Sequence, residues 1–189
     1  MKRGLLIVIS GPSGVGKDTL IRRLLELDGN VRYSISGTTR TPRPGEKPDE
    51  NYTFLTRDEF EAKVREGAFL EHATYNGHLY GTFRERVEKI RESGRDVLLK
   101  IDVQGAEQVR RLVPEGVFIF VVAPSERELE RRRENRGSET REDLESRRKI
   151  AVREMDYASH FQHVVTNDDV ERAVGEILEI IRRARASQT

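Results

Sequence analysis

The feature that most constrains this chain is a glycine-rich segment directly after an apolar stretch at residues 5–10. The segment reads Gly11-Pro12-Ser13-Gly14-Val15-Gly16-Lys17-Asp18-Thr19. As far as Lys17 it fits G-x-x-x-x-G-K, the pattern of a phosphate-binding loop between a β-strand and an α-helix. Its glycines let the backbone curl so that N–H groups point inward, and the helix that follows adds its positive N-terminal end.

The lysine decides how the segment is interpreted. A glycine-rich turn can also be a plain tight connection, but Lys17 together with both flanking elements favours a bound nucleoside triphosphate. Lys17 would neutralise charge on the β- and γ-phosphates. One position departs from the pattern, because the Ser or Thr that usually follows the lysine is Asp18 here, with Thr19 next. We predict that residues 11–19 bind the triphosphate.

Four short apolar runs predict buried β-strands, at residues 5–10, 97–102, 117–123 and 163–166. The first three alternate little between apolar and polar residues, as expected of parallel strands covered on both faces. Helices are predicted between and after them, at residues 17–27, 83–93, 106–112, 125–136 and 170–184. This order predicts an α/β fold with a parallel β-sheet core flanked by helices.

Two segments differ from this core. Residues 39–52 contain three prolines and a glycine, so they are predicted to form a loop. Polar strands and a short helix at residues 58–66 should follow, and together they would make an inserted lobe. Residues 126–155 are so highly charged that they cannot bury much surface, and we predict two polar helices joined by a turn.

Charge balance and the lack of cysteine exclude several classes of function. The 189 residues include 34 Lys and Arg against 33 Asp and Glu, whereas a dedicated nucleic-acid binder is usually strongly basic. Without cysteine there is no disulfide framework or Cys-based zinc site, and the four histidines show no metal-ligand spacing. The first apolar run is too short for a membrane span or a signal-peptide core. We expect a cytoplasmic protein with no nucleic-acid or membrane partner.

A second polar motif follows the first helix. It reads Ser34-Ile35-Ser36-Gly37-Thr38-Thr39-Arg40-Thr41-Pro42-Arg43-Pro44-Gly45-Glu46. Arg40 and Arg43 lie on a proline-stiffened loop and could form a fork for a phosphate monoester, although two solvated arginines would give the same pattern. Four further elements follow in order: Asn51-Tyr52-Thr53-Phe54, Phe69-Leu70-Glu71, Tyr80-Gly81-Thr82 and Ile101-Asp102-Val103-Gln104-Gly105-Ala106.

With these motifs in this order, the sequence resembles the guanylate kinase family over essentially its whole length. The stretch S-x-S-x-T-T-R-x-P-R-x-G-E is highly specific to that family. The resemblance implies transfer of the γ-phosphoryl group of ATP to GMP, with Mg²⁺ as cofactor. It also implies a phosphate-loop core at residues 1–34, 84–124 and 156–189, a mixed α/β GMP-binding lobe at 35–83 and a helical lid at 125–155.

The resemblance assigns GMP contacts residue by residue. It implies phosphate contacts from Arg40, Arg43, Tyr52 and Tyr80, and base contacts from Ser36, Glu71 and Thr82. The chemistry of guanine agrees, because a carboxylate such as that of Glu71 would accept from N1–H and the 2-amino group. Hydroxyl groups could donate to O6. Adenine has an unprotonated N1, which would face Glu71 repulsively.

Asp102 ends a predicted core strand, where an acid commonly helps to place magnesium through water. We expect Asp102 to contribute to the GMP site, and Asp102 and Thr19 to contribute to the metal site. A plain cap at the strand end is the alternative for Asp102. Many family members carry a second acidic residue just before I-D-x-Q-G, where this chain has Lys100. No role is carried over to Lys100.

Arginines of the charged segment are candidates for closing over the phosphates, because phosphoryl transfer needs charge neutralisation and alignment more than covalent chemistry. Besides Lys17, the resemblance favours Arg132, Arg136 and Arg147 as catalytic residues. Residues 166–168 resemble the family's V-N-D element, which makes Asn167 a candidate ATP contact at the adenine. An ordinary turn asparagine that caps the last helix is the alternative.

Three other functions stay open on sequence alone. A related kinase could act on a different phosphate acceptor, because the phosphate loop does not select one. The guanylate-kinase-like modules of scaffold proteins bind phosphorylated peptides, but their phosphate loops are generally degraded, whereas Gly11, Gly16 and Lys17 are all present here. An RNA-binding protein that uses the arginine-rich segment is disfavoured by the balanced charge.

Overall fold

The computed structural model describes residues 2–134 and 157–188, apart from the side chains of residues 133 and 134. One of its two sheets contains β1 (Leu6–Ser10), β2 (Val31–Tyr33), β7 (Asp96–Lys100), β8 (Val117–Val122) and β9 (His163–Thr166). These strands lie in the order β2-β7-β1-β8-β9, and every neighbouring pair is parallel. The sheet therefore needs a crossover connection for each pair, and helices supply them.

Helices cover both faces of this sheet. On one face lie α1 (Lys17–Leu27) and α6 (Val170–Ser187), and on the other α3 (Arg84–Glu92) and α4 (Val103–Leu112). Successive side chains of β1 point to opposite faces of the sheet. Ile7 packs with α1 and α6, and Val8 packs with α3 and α4. This is why the strand is apolar throughout instead of alternating.

The second sheet contains β3 (Gly37–Thr38), β4 (Thr53–Phe54), β5 (Phe69–Tyr75) and β6 (His78–Phe83), in the order β4-β3-β6-β5. The helix α2 (Arg57–Arg65) packs against it, and Thr56 and Glu59 form a capping box at its start. The buried ring of Phe60 on α2 stacks on Phe69 of β5 with centroids 4.5 Å apart. These contacts give the second sheet an aromatic core of its own.

The predicted α/β class with a parallel sheet flanked by helices is confirmed. The four predicted strands and the helices between them are present, with ends shifted by a few residues. Sequence analysis missed β2, which is only three residues long. It also started α4 too late, because Asp102 accepts a hydrogen bond from the Gly105 N–H and caps a helix that begins at Val103.

The charged segment is described only in part. The helix α5 (Glu126–Glu134) begins where the sequence predicts, and the Ser125 hydroxyl accepts from the Glu128 N–H at 3.2 Å. A short 3₁₀ helix, Tyr157–His160, precedes β9. Arg136 and Arg147 lie outside the described residues. Among the helices that are described, none is both long enough and apolar enough to cross a bilayer.

Candidate active site

A cleft of about 1360 Å³ lies between the two sheets. Its walls are the phosphate loop, the end of β7 and the side of the second sheet that faces them. It opens where the parallel strands end, the usual ligand position in an open α/β sheet. The cleft therefore brings together the two motifs that the sequence places far apart.

The phosphate loop is curled around its own lysine. The Lys17 ammonium donates to the carbonyl of Gly11 and, at 3.1 Å, to that of Pro12. Gly16, at the start of α1, has φ 96°, a left-handed conformation that strains other residues. A Cβ at this glycine would lie 2.5 Å from the Asn167 amide nitrogen, so the position excludes a side chain on two grounds.

Two residues from the C-terminal part of the chain hold this loop from behind. The buried Asn167 side chain donates to the Val15 carbonyl at 2.7 Å, and Arg132 donates to the Asn167 carbonyl at 3.0 Å. Neither residue lines the cleft. Asn167 does not cap the last helix, because Asp169 does so.

The loop of the second motif is organised by Glu46. Its carboxylate accepts from the Arg40 guanidinium at 2.8 Å and from the Arg43 N–H at 2.7 Å. Burial opposes ionisation of Glu46, but these hydrogen bonds outweigh it and lower its pKa. Both arginines line the cleft, and the Arg40 side chain is only 10% exposed. Glu46 thus holds them in place while satisfying the charge of Arg40.

Aromatic rings form the adjoining wall. The rings of Tyr52 and Tyr80 lie with centroids 6.0 Å apart, and both line the cleft. Two cations approach the Tyr52 ring: the Arg40 guanidinium carbon and the Lys100 ammonium each lie 5.4 Å from its centroid. Tyr33, at the end of β2, also lines the cleft, and burial raises its pKa to about 12.

Glu71 lies deep in the cleft on β5 and is 4% exposed. Its carboxylate accepts from the Thr82 hydroxyl on β6 at 2.5 Å, and burial raises its pKa to about 7. Ser36 is also buried and lines the same cleft. Gly105 on α4 leaves room for this carboxylate, because a Cβ there would lie 2.3 Å from the Glu71 Oε2.

The residues expected to place a metal ion are separated by the structure. Asp102 lines the cleft, where burial raises its pKa although hydrogen bonds from the Gly105 N–H and from Gln104 oppose that rise. Thr19 is exposed on α1 and lies outside the cleft lining. No cluster of three or more metal-ligating side chains occurs within residues 2–134 and 157–188. Mg²⁺ commonly needs only one or two carboxylates besides phosphates and water, so Asp102 fits it and Thr19 does not.

Comparisons with known proteins identify the family of the chain. The family model described as guanylate kinase matches residues 3–184. The chain belongs to the guanylate kinase family. A guanylate kinase of Rubrobacter xylanophilus is 52% identical over 97% of this chain and 96% of its own length. One from Caldanaerobacter subterraneus subsp. tengcongensis is 50% identical over 95% of this chain and 87% of its own length.

Solved structures give the same result for the fold. The crystal structure of guanylate kinase from Anaplasma phagocytophilum superposes with a TM-score of 0.81 at 35% identity. That match covers 96% of this chain and 86% of the other. The resemblance found in the sequence motifs is therefore confirmed for the family and for the fold.

Three residues that shape the site received no role from the sequence: Glu46, Gly105 and Tyr33. Glu46 and Gly105 belong to the motifs quoted above, but the motifs alone did not indicate what either residue contacts. At Gly105, a glycine inside a helix, the close approach of the Glu71 carboxylate leaves no room for a side chain. No sequence pattern pointed to Tyr33, because the short strand that carries it to the cleft was not predicted.

Proposed function

We propose that this member of the guanylate kinase family transfers the γ-phosphoryl group of ATP to GMP inside the cleft, giving ADP and GDP. One observation carries the proposal: a phosphate loop with its lysine faces a buried carboxylate pocket across a single cleft. The loop supplies a site for the donor, and the pocket supplies a site for a base with N–H donors.

The donor end would work mainly through its backbone. Residues 11–18 would surround the β- and γ-phosphates with inward N–H groups at the start of α1. The Lys17 ammonium, now bonded to carbonyls of its own loop, would turn to the phosphates and stabilise the charge that is reorganised during transfer. Asn167 would act on ATP through the loop, since its amide nitrogen is bonded to the Val15 carbonyl.

The acceptor end would work through side chains. Arg40 and Arg43 would bind the GMP phosphate with Tyr52 and Tyr80, and the phosphate would compete with Glu46 for Arg40. The Glu71 carboxylate would accept from guanine N1–H and the 2-amino group, with Ser36 as a donor to O6. Thr82 would orient Glu71, because its hydroxyl is already bonded to that carboxylate.

A lid would complete the reaction centre. We propose that residues 125–155 close over the phosphates and that the lobe at residues 35–83 moves toward them, which would exclude water and prevent hydrolysis of ATP. Arg132 already lies against the phosphate loop through Asn167, with its charge paired to Glu128. Arg136 and Arg147 would be supplied by the closing segment. Solution scattering with and without ADP and GMP should show compaction; identical profiles would contradict closure.

Asp102 would hold the magnesium ion that accompanies ATP, directly or through water. That ion would neutralise charge on the transferred phosphoryl group. Within this chain, the role of Asp102 is to present a carboxylate to the cleft while its other contacts, from the Gly105 N–H and Gln104, fix its orientation. We propose that the reaction takes place in the cytoplasm.

A coupled ADP-release assay with GMP, AMP, CMP and UMP tests the proposal. We expect turnover with GMP that exceeds turnover with each other nucleotide by at least about 100-fold, because buried hydrogen-bonding groups reject an unmatched base steeply. Equal turnover of AMP and GMP would contradict the proposal that Glu71 selects guanine over adenine. GMP binding without ADP release would favour the non-catalytic, scaffold-type module instead.

A further inference from the structure

Lys100 occupies a position that the proposed mechanism does not use. It ends β7 and points into the cleft, where its side chain is 18% exposed. Its ammonium donates to the Asp18 carboxylate at 2.6 Å and lies 5.4 Å from the centroid of the Tyr52 ring. One cation therefore reaches both the phosphate-loop motif, at Asp18, and the aromatic wall of the cleft, at Tyr52.

The surroundings of Lys100 keep it charged. Burial opposes the charge of the ammonium, but its interactions with neighbouring groups, among them the Asp18 carboxylate, outweigh burial and raise the pKa of Lys100 above its usual value. An ammonium has three donors, and a buried cation is costly unless those donors are satisfied. An ion pair with an exposed partner contributes little to stability, and the Asp18 side chain is 68% exposed. Stability alone therefore gives a weak reason for a lysine at this place.

Lys100 and Arg40 both lie beside the ring of Tyr52. Each cation is 5.4 Å from the ring centroid, Arg40 from the second sheet and Lys100 from the central sheet. Both residues and the tyrosine line the same cleft, so each sheet brings one cation to this wall.

We propose that Lys100 binds the phosphate of the acceptor nucleotide from the side of the central sheet and that Asp18 holds its ammonium in position. The inference rests on the proposed binding of GMP at Arg40 and Tyr52. It also relates the two departures from the family pattern to each other: a carboxylate replaces the usual hydroxyl residue of the phosphate loop, and a cation replaces an acid at the end of β7. The two replacements meet in one ion pair.

Calorimetric titration with GMP, without ATP or magnesium, tests the inference. In Lys100→Met the GMP dissociation constant should rise about 10- to 100-fold, the effect of one lost charge-assisted contact. Lys100→Arg should recover most of that loss. Asp18→Asn should weaken GMP binding less than Lys100→Met does, because the cation stays but its position is no longer fixed. A purely structural ion pair would instead give equal losses in Lys100→Met and Asp18→Asn.

Two further ligands make the result specific. Guanosine lacks the phosphate, so its binding in ligand-observed NMR should be the same in the wild type and Lys100→Met. ADP binding should change by less than about threefold in Lys100→Met; a loss equal to that for GMP would overturn the acceptor-side assignment. Unchanged GMP binding in Lys100→Met overturns the inference alone. If wild-type protein does not bind GMP, the proposed function itself fails. Thermal unfolding of each variant checks that the fold is kept.

Discussion

The two ends of the cleft are built differently. At the donor end, residues 11–19, the backbone is held by contacts from behind, such as the Asn167 amide on the Val15 carbonyl. At the acceptor end, in the second sheet and its loop, side chains hold one another, as Glu46 holds Arg40 and Thr82 holds Glu71. Backbone N–H groups bind phosphates without distinguishing bases, whereas paired side chains can select one. Recognition of the base should therefore depend on a few acceptor-end side chains.

The largest effect should come from Lys17, the donor-end side chain that we propose turns to the phosphates. In Lys17→Ala we expect kcat to fall by at least about 100-fold, the scale of one lost preorganised electrostatic contact. The unfolding midpoint should change little. Lys89→Ala, at an exposed position of α3, is the matched control. Near-normal kcat in Lys17→Ala would mean that the donor end works through its backbone alone.

Glu71→Gln should change base selection. Loss of a charge-assisted bond of about 1.5–3 kcal/mol, with some loss of alignment, should lower kcat/KM for GMP by roughly 100-fold. The preference for GMP over AMP should shrink, because the carboxylate no longer repels adenine N1. Arg43→Ala should weaken both substrates alike and keep the ratio. An unchanged ratio in Glu71→Gln would make Glu71 a structural residue.

Gly105→Ala tests how closely the acceptor end is packed. Its new Cβ would lie 2.3 Å from the Glu71 Oε2, so the carboxylate must move. We expect kcat/KM for GMP to fall by about 10-fold, roughly 1.4 kcal/mol of transition-state stabilisation, while ADP affinity stays the same. Gly175→Ala in α6 is the control, because its Cβ would meet no atom within 4 Å. That variant should keep full activity and gain up to about 1 kcal/mol of stability.

The smallest effect should be the pH dependence of GMP binding. The Glu71 pKa is raised to about 7 by burial, so at pH 6 most of the carboxyl group is protonated and cannot accept from both guanine donors. GMP affinity should rise between pH 6 and pH 8, by roughly threefold to tenfold. Subtracting the profile of Glu71→Gln removes the titration of the GMP phosphate. Identical profiles would show that Glu71 ionises well below this range.

The same shift has the opposite sign for stability. The folded protein keeps the Glu71 proton that the unfolded chain releases near its usual pKa. The titration of Glu71 should therefore lower the free energy of unfolding as the pH rises from about 4.5 to 7. Chemical denaturation of the wild type and Glu71→Gln across this range would measure the difference.

Sequence patterns predicted the elements that carry strong local signals. The apolar run of β1 and the glycine-rich loop after it were recognisable because burial and turn chemistry act on adjacent residues. The strand β2 was not predicted because it has three residues, of which Val31 is fully buried, Tyr33 half-buried and Arg32 exposed. The pairing of Lys100 with Asp18 joins positions 82 residues apart, and no local pattern reports such a contact. Arg136 and Arg147 stay predictions.

The contact between Asn167 and Val15 has a consequence for synthesis of the chain. The loop that would hold ATP is made early, yet the amide that fastens it arrives 152 residues later, just after the last strand of the sheet. A nascent chain emerging from the ribosome would therefore carry the loop for most of its elongation without this brace. Nucleotide binding should become possible only when β9 has joined the sheet, late in translation.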